Sequence, residues 1–241
     1  MPRVRLLSII QVRMSSSRLP GKALLPLGNA TALDQVIRRT AQFSSQVVVC
    51  TSVHGSDDAI EAHCDAQDVV CVRGSLDDVF DRYRKTLLDP RVERTEWFAR
   101  VTADCPLVSP RLAEHLMGAT EGMDYVAVQY DKTPLGLAIE LIRRETYMAI
   151  DADTLDDSEL EHTTLCLYEK PGQYRCVRLA PPADLQHPEF RLTLDYEEDY
   201  KLLTTLFEDN DISATQAVER MRQEPALAAI NAHCSQKVVR G

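Results

Sequence analysis

The sequence lacks the features that mark membrane, disulfide-rich or nucleic-acid-binding proteins. No stretch reaches the roughly 18 consecutive apolar residues that a membrane span needs, and no signal peptide is apparent, so we expect a cytoplasmic protein. The seven cysteines are odd in number and include no C-x-x-C pair, which argues against a disulfide framework or a zinc ribbon. The formal net charge of −10 argues against binding of duplex DNA or RNA, because such binding needs a basic face.

Two glycine-rich phosphate-binding motifs are also missing. A P-loop has a glycine five residues before its Gly-Lys pair, but here Ser16 stands at that place. Ala23 then follows Lys22, where the P-loop has serine or threonine. No G-x-G-x-x-G segment follows the first apolar run either, which argues against a dinucleotide-dependent dehydrogenase.

What the sequence does contain is a repeated alternation of short apolar runs with amphipathic segments. This alternation is typical of βαβ units around a parallel sheet with right-handed crossovers, and 241 residues suit a single α/β domain over 1–241. The predicted strands are 6–12, 46–51, 69–72, 97–101 and 124–128, and the predicted helices are 31–43, 57–64, 76–88 and 110–117. Thr31, with Asp34 three residues later, resembles a capping box.

After about residue 129 the alternation loosens. We expect residues 129–190 to form an inserted region that covers the active site or builds a dimer interface. The predicted strands in the second half are 137–142, 174–179 and 190–194, and the predicted helices are 158–168, 196–207 and 213–222.

Ligands of open parallel sheets bind beyond the carboxyl ends of the strands, so the loops at those ends should meet on one rim. These loops are 13–22, 51–57, 73–78 and 102–108. The first holds three cations, Arg13, Arg18 and Lys22, around three serines. Guanidinium and ammonium groups suit a polyphosphate. The alternative is a solvated polar loop with incidental charge.

Two aspartates follow predicted strands. Asp104 is well placed to hold Mg²⁺, a hard cation that prefers oxygen ligands, although an Asx turn before Pro106 is an alternative. Asp195 has a competing interpretation, because Glu198 three residues later would complete a capping box at the start of a helix.

The sequence resembles cytidylyltransferases that activate acidic sugars. VRMSSSRLPGK, at 12–22, is similar to the A-R-x-x-S-x-R-L-P-G-K signature of the 3-deoxy-manno-octulosonate and acylneuraminate cytidylyltransferases. Further segments resemble the SpsF-like spore-coat-polysaccharide branch in the same order, so the resemblance covers most of the chain. They are TSVHGSDDAI at 51–60, RGSLDDVFDRY at 73–83, RVTADCPLV at 100–108 and LTLDYEEDY at 192–200.

The resemblance implies a Rossmann-like nucleotidyltransferase fold with a mostly parallel sheet flanked by helices, and a homodimer. It implies Mg²⁺-dependent transfer of CMP from CTP to an acidic sugar-like acceptor, with release of pyrophosphate, in surface polysaccharide biosynthesis. The catalytic residues would be Arg13, Lys22 and Asp104, with Asp104 and Asp195 as metal ligands. The nucleotide-binding residues would be Arg13, Ser15, Arg18, Lys22, Thr51, Gly74 and Ser75, and the acceptor-binding residues Arg100, Glu140 and His162.

Some of these assignments have alternatives. Thr51, Gly74 and Ser75 could be ordinary strand-end turns, and His162 could be a structural hydrogen-bonding residue. The branch tends to show G-L-D-x-E where residues 136–140 read GLAIE, so Ala138 replaces an aspartate. Two other functions therefore stay open: the same fold acting with another nucleotide or a non-sugar acceptor, and a non-catalytic sugar-nucleotide-binding homologue.

Overall fold

The computed structural model describes residues 5–170, 172–209 and 211–236. Within these residues a seven-stranded sheet runs in the order β5-β4-β1-β6-β8-β7-β9. The strands are β1 (Leu6–Gln11), β4 (Gln46–Ser52), β5 (Val70–Gly74), β6 (Trp97–Thr102), β7 (Tyr125–Val128), β8 (Glu140–Arg143) and β9 (Cys176–Leu179). Their pairs are parallel except β6–β8 and β7–β8, so β8 is antiparallel to both of its neighbours. A small antiparallel hairpin, β2 (Pro26–Leu27) and β3 (Ala30–Thr31), lies apart.

Helices cover both faces of the sheet. They are α1 (Ala32–Thr40), α2 (Asp58–Ala66), α3 (Val79–Leu88), α4 (Pro110–Met117), α5 (Arg144–Met148), α6 (Asp157–Glu161), α7 (Leu165–Tyr168), α8 (Glu197–Leu206), α9 (Ala214–Gln223) and α10 (Pro225–Ala229). Among the described residues, none of the helices is long and apolar enough to cross a membrane.

The pleat of the strands divides the core into two layers. Along β1, Leu6 and Ile10 pack in one apolar cluster, whereas Leu7 and Ile9 pack in the other. This alternation follows from the two-residue period of a strand. The first layer contains buried residues of helices α1, α4, α8 and α9, and the second contains buried residues of α3, α5 and α7.

The structure confirms the mostly parallel α/β fold and the Thr31–Asp34 capping box. Three predicted elements differ. The predicted strand 137–142 begins only at Glu140, and the predicted helix 158–168 is interrupted between α6 and α7. The predicted strand 190–194 is wrong: within it only Arg191 forms a bridge, because Leu192 donates to the Leu135 carbonyl and Leu194 to that of Asp104.

Residues 129–190 also supply part of the central sheet. β8 lies between β6 and β7, and β9 forms the edge beyond β7. An additional role of this region as a lid or a dimer interface stays a prediction.

Candidate active site

A cavity of about 1080 Å³ opens at the carboxyl ends of β1 and β6. Its volume is at the upper end of the roughly 300–1,000 Å³ that is usual for ligand pockets. The wall comes from the loop after β1, the loop after β6, helices α3 and α6, strand β8 and the segment around Asp195. The site therefore lies on the edge where open α/β sheets bind ligands.

Asp57 joins two of the rim loops. Its buried carboxylate accepts hydrogen bonds from the backbone N–H of Met14 at 2.8 Å and from the Thr51 hydroxyl at 3.1 Å. Burial works to raise the pKa of Asp57, but donors from Ser52 and Met14 outweigh it and lower the pKa. The ionised carboxylate thus holds the loop after β1 against the loop after β4, as the rim prediction requires.

A cluster of opposite charges lies where the loops after β1 and β6 meet. Lys22 Nζ is 2.6 Å from Asp195 Oδ1 and 3.2 Å from Asp104 Oδ2, and Arg18 Nη2 is 3.2 Å from Asp195 Oδ1. Burial works to lower the pKa of Lys22, but the two carboxylates outweigh it and raise the pKa. For Asp104, burial works to raise the pKa, but Lys22 and nearby hydrogen bonds lower it. Lys22 and Asp104 are therefore both charged near neutral pH.

Backbone contacts hold the two aspartates together although they lie far apart in the sequence. The carbonyl of Asp104 accepts from the backbone N–H of Leu194 at 2.8 Å and from the Thr193 hydroxyl at 3.2 Å. The segment that ends at Asp195 is thereby fixed against the end of β6, and both carboxylates face the same ammonium group.

The start of α8 corrects the prediction of a capping box between Asp195 and Glu198. The helix begins at Glu197, and Asp199 Oδ2 accepts from the backbone N–H groups of Asp195 and Tyr196 at 3.0 Å each. The Asp195 carboxylate is therefore not used as a cap. Its second oxygen instead lies 3.4 Å from Arg191 Nη2.

The donor set of the cluster fits Mg²⁺. Asp104 and Asp195 both reach the single Lys22 ammonium, so their oxygens already converge on one cation. Carboxylate oxygens are the ligands that this hard ion prefers. Asp104 keeps 29% of its side chain exposed towards the cavity, which leaves it accessible to a metal–nucleotide complex.

A second charged pair, Arg100 and Glu140, lies deeper in the cavity. Arg100 Nη1 donates to Glu140 Oε2 at 2.5 Å, and β6 and β8 pair these two residues directly. Glu140 Oε1 also accepts from the hydroxyls of Tyr125, Tyr130 and Thr164. The carboxylate predicted to contact the acceptor is thus already bound by protein donors, and in this structure it orients Arg100.

Glu140→Gln should destabilise the fold by about 2–3 kcal/mol at neutral pH, because removing one partner leaves the Arg100 guanidinium without a counter-charge. Burial raises the pKa of Glu140, but Arg100 and the tyrosine hydroxyls outweigh it and lower the pKa below its ordinary value of 4.5. The stabilisation is therefore complete above pH 4.5 and is lost as the pH falls through the folded-state pKa.

Urea unfolding of wild type, Glu140→Gln and the exposed control Glu121→Gln checks this prediction. The free-energy difference between wild type and Glu140→Gln should shrink as the pH is lowered from about 7 to 3. A difference that stays constant over this range would contradict it.

The other predicted site residues divide into two groups. Arg13, Ser15, Arg18, Lys22, Arg100, Asp104, Glu140, His162 and Asp195 all line the cavity. Thr51, Gly74 and Ser75 lie outside its lining, which differs from their predicted place in a nucleotide pocket. The physical reason is that each of the three makes a structural contact nearby. Thr51 donates to Asp57, the Ser75 hydroxyl accepts from the Asp78 N–H, and Gly74 packs against α3.

Tyr196 and Arg82 are two of the lining residues that sequence reasoning did not assign to the site. Tyr196 places its ring 4.8 Å from the Arg18 guanidinium carbon, and its hydroxyl accepts from Arg18 Nη1. Arg82 points into the cavity from α3. A signal for Arg82 was present, because it interrupts the apolar stripe that Val79, Tyr83 and Leu87 form on the buried side of that helix.

A family model described as cytidylyltransferase matches residues 7–231. The chain belongs to the cytidylyltransferase family. It is 34% identical over 236 residues to the spore coat polysaccharide biosynthesis protein SpsF of Bacillus subtilis (strain 168), covering 92% of this chain and 96% of that one. It is 28% identical over 210 residues to a 3-deoxy-manno-octulosonate cytidylyltransferase of Bradyrhizobium (strain ORS 278), covering 78% and 83%.

Solved cytidylyltransferase structures share the fold. A cytidylyltransferase from Leptospira borgpetersenii superposes with a TM-score of 0.81 over 98% of each chain, at 24% identity. A CMP:2-keto-3-deoxy-manno-octonic acid synthetase complexed with CTP superposes with a TM-score of 0.57 over 86% of this chain and 99% of that one, at 17% identity. The predicted nucleotidyltransferase fold is confirmed.

Proposed function

We propose that this cytidylyltransferase-family chain transfers CMP from CTP to an acidic sugar or sugar-like acceptor and releases pyrophosphate. The observation that carries the proposal is the cluster of Lys22, Asp104 and Asp195 at the strand ends of β1 and β6. It combines cations suited to a triphosphate with a carboxylate pair suited to a metal. The family membership and the SpsF relative support the same chemistry.

In this proposal the charged cluster exchanges partners when substrate binds. Lys22 and Arg18, which now pair with aspartates, turn to the phosphate oxygens, and Arg13 adds a third cation at the mouth of the cavity. Asp104 and Asp195 are then free to hold Mg²⁺. The ion, when bound, would withdraw negative charge from the phosphate oxygens.

The reaction itself is an in-line displacement at the α-phosphorus. The acceptor hydroxyl gives up its proton to water and its oxygen bonds to the α-phosphorus. The bond from the α-phosphorus to the oxygen that bridges to the β-phosphorus breaks, and this oxygen leaves as part of the pyrophosphate. Lys22, Arg13 and Arg18 stabilise the negative charge that accumulates on the transferring and leaving phosphates. No covalent intermediate with the protein is needed.

Pyrophosphate release tests this function. The enzyme, CTP and Mg²⁺ are incubated with 3-deoxy-manno-octulosonate, N-acetylneuraminate, other acidic sugars and neutral sugars. Release that requires both CTP and an acidic sugar supports the proposal. Release with another nucleotide or a non-sugar acceptor would favour the first alternative. Nucleotide binding without release by any acceptor would favour a non-catalytic homologue and direct attention to Ala138, which lines the cavity.

Arg18→Ala should weaken the binding of CTP about 10- to 100-fold and that of CMP much less. The reason is that a charge-assisted contact to the β- or γ-phosphate is lost, whereas CMP has neither group. Dissociation constants for CTP and CMP measured by calorimetry check this, with the exposed helix residue Arg38→Ala as control. Equal losses for the two nucleotides would exclude Arg18 from the triphosphate site.

Two further expectations belong to the same proposal. The homodimer implied by the resemblance stays a prediction, which the mass of the protein in solution would test. The cytoplasmic location likewise stays a prediction, supported by the biosynthetic role in the printed name of the SpsF relative.

A further inference from the structure

Arg82 is a buried cation for which the described residues supply no partner. Its side chain lies on α3, only 1% of the residue is exposed, and its guanidinium reaches the wall of the cavity. Nε and Nη1 have no hydrogen-bond partner within the described part of the chain, and no ion pair to Arg82 occurs there. Burying a charge that is neither paired nor hydrogen-bonded costs several kcal/mol of folding free energy. We therefore expect a bound ligand to supply the missing counter-charge.

The neighbouring charges do not compensate Arg82. Arg100 lines the same cavity, and its Nε also lacks a partner among the described residues. Glu140, the buried carboxylate of this region, already accepts from Arg100 Nη1 and from three hydroxyl groups. Asp157 and Glu161 of α6 also line the cavity, but both are exposed and neither forms an ion pair with Arg82 within the described residues. The buried guanidinium groups of Arg82 and Arg100 therefore keep unused hydrogen-bond donors at the cavity wall.

Arg82 lies on a different side of the sheet from the Lys22 cluster. Val79 and Tyr83, which flank Arg82 on α3, pack in the layer that contains Phe98. Ala23, next to Lys22, packs in the opposite layer. The cavity crosses the strand ends between the two layers, so an anion bound by Arg82 is separate from the phosphates that Lys22 and Arg18 would hold.

The fold makes room for Arg82. A Cβ built on Gly74 would lie 3.0 Å from both Cβ and Cγ of Arg82, closer than ordinary van der Waals contact. Glycine at the end of β5 thus lets α3 approach the strand and brings the Arg82 side chain under the cavity. This explains Gly74 as a residue that positions Arg82.

We propose that Arg82, together with Nε of Arg100, binds the acid group of the acceptor. This rests on the proposed function, because it assigns the second substrate of the same transfer reaction. The ligand is an oxyanion, a carboxylate in an acidic sugar, and the two guanidinium groups supply its hydrogen bonds and its counter-charge. Arg82 thereby selects acidic over neutral acceptors.

The first test needs no acceptor. Arg82→Met removes an unpaired buried charge while keeping much of the side-chain volume, so the melting temperature of the ligand-free protein should stay equal or rise. Arg84→Met is the matched control, since Arg84 lies on the same helix outside the cavity lining. A large fall in melting temperature for Arg82→Met alone would show a structural role and overturn the proposal.

The second test uses inorganic phosphate as the probe. With CTP and Mg²⁺ saturating, phosphate at constant ionic strength should raise the melting temperature of wild type and Arg84→Met but not of Arg82→Met. Equal shifts in all three proteins would overturn the proposal. If wild type does not bind CTP, the proposed function fails by itself, and the same comparison without CTP still tests the anion site.

The third test uses kinetics with an acidic acceptor that supports pyrophosphate release. Arg82→Met should raise the KM for that acceptor about 10- to 100-fold and leave the dissociation constant for CTP within about twofold. Arg82→Lys should recover part of the loss, because it restores the charge. A loss of CTP affinity as large as the rise in acceptor KM would place Arg82 in the triphosphate site and overturn the proposal.

Discussion

Asp104→Ala should abolish Mg²⁺-dependent pyrophosphate release from CTP, with a fall of about 10³-fold or more, while the protein stays folded. Asp104 is the more exposed member of the carboxylate pair and faces the cavity, so its loss removes half of the proposed metal site. Stability should change by only about 1 kcal/mol, since Lys22 keeps its shorter contact to Asp195 and the Asp104 backbone contacts do not depend on the side chain.

The measurement is a rate at saturating CTP over a range of Mg²⁺ concentrations, accompanied by thermal melts. Asp65→Ala, on the exposed face of α2, is the control and should keep full activity. Partial recovery of the Asp104→Ala rate at high Mg²⁺ would agree with a weakened metal site. Unchanged turnover at all concentrations would remove Asp104 from the mechanism.

Gly136→Ala should destabilise the protein by about 4 kcal/mol or more, which is roughly 10 °C in melting temperature for a chain of this size. Gly136 has φ of +99°, and a Cβ there would lie 2.4 Å from the Thr193 backbone nitrogen and 2.5 Å from the Leu192 carbonyl carbon. Those atoms belong to backbone that cannot move without shifting the segment that fixes Asp195 against the end of β6. Activity should therefore fall together with stability.

Gly122→Ala separates the steric clash from the backbone strain. Gly122 also has a positive φ, +71°, but a Cβ there would meet nothing within 4 Å. It should cost only the conformational penalty of about 1–2 kcal/mol. Both variants are measured by thermal or urea unfolding. Similar losses of unfolding free energy in the two variants would contradict the predicted clash, because they would show that the backbone of residues 192–193 moves to accommodate the added methyl group.

Much of the site followed from the order of elements along the chain. Because the loops after parallel strands meet at one edge, Lys22 and Asp104 could be placed together although 82 positions separate them. Asp195 was paired with Asp104 by the resemblance to cytidylyltransferases, and not by the order of elements. The sequence suggested a strand before Asp195, whereas the structure holds this segment by an isolated bridge to Leu135 and by two hydrogen bonds to the Asp104 carbonyl.

What could not be predicted depends on tertiary contacts with no local signature. The antiparallel direction of β8 puts Glu140 opposite Arg100, and this pairing turns an expected acceptor ligand into a carboxylate that orients an arginine. Asp199, and not Glu198, caps the start of α8, because the helix begins at Glu197, one residue later than the predicted start at 196. Arg82 was visible as a charge within an apolar stripe, but its missing partners only emerge from the packed structure.

The most direct test of the central claim is nucleotide binding by thermal shift, with and without Mg²⁺, for CTP, UTP, ATP and GTP. A ligand at 100 times its Kd stabilises a protein by about 2.7 kcal/mol, roughly 5–10 °C for this chain. We predict a Mg²⁺-dependent shift of this size for CTP that is lost in Asp104→Ala and kept in Asp65→Ala. No shift with CTP, or an equal shift with all four nucleotides, would contradict the assignment of this cavity as a CTP site.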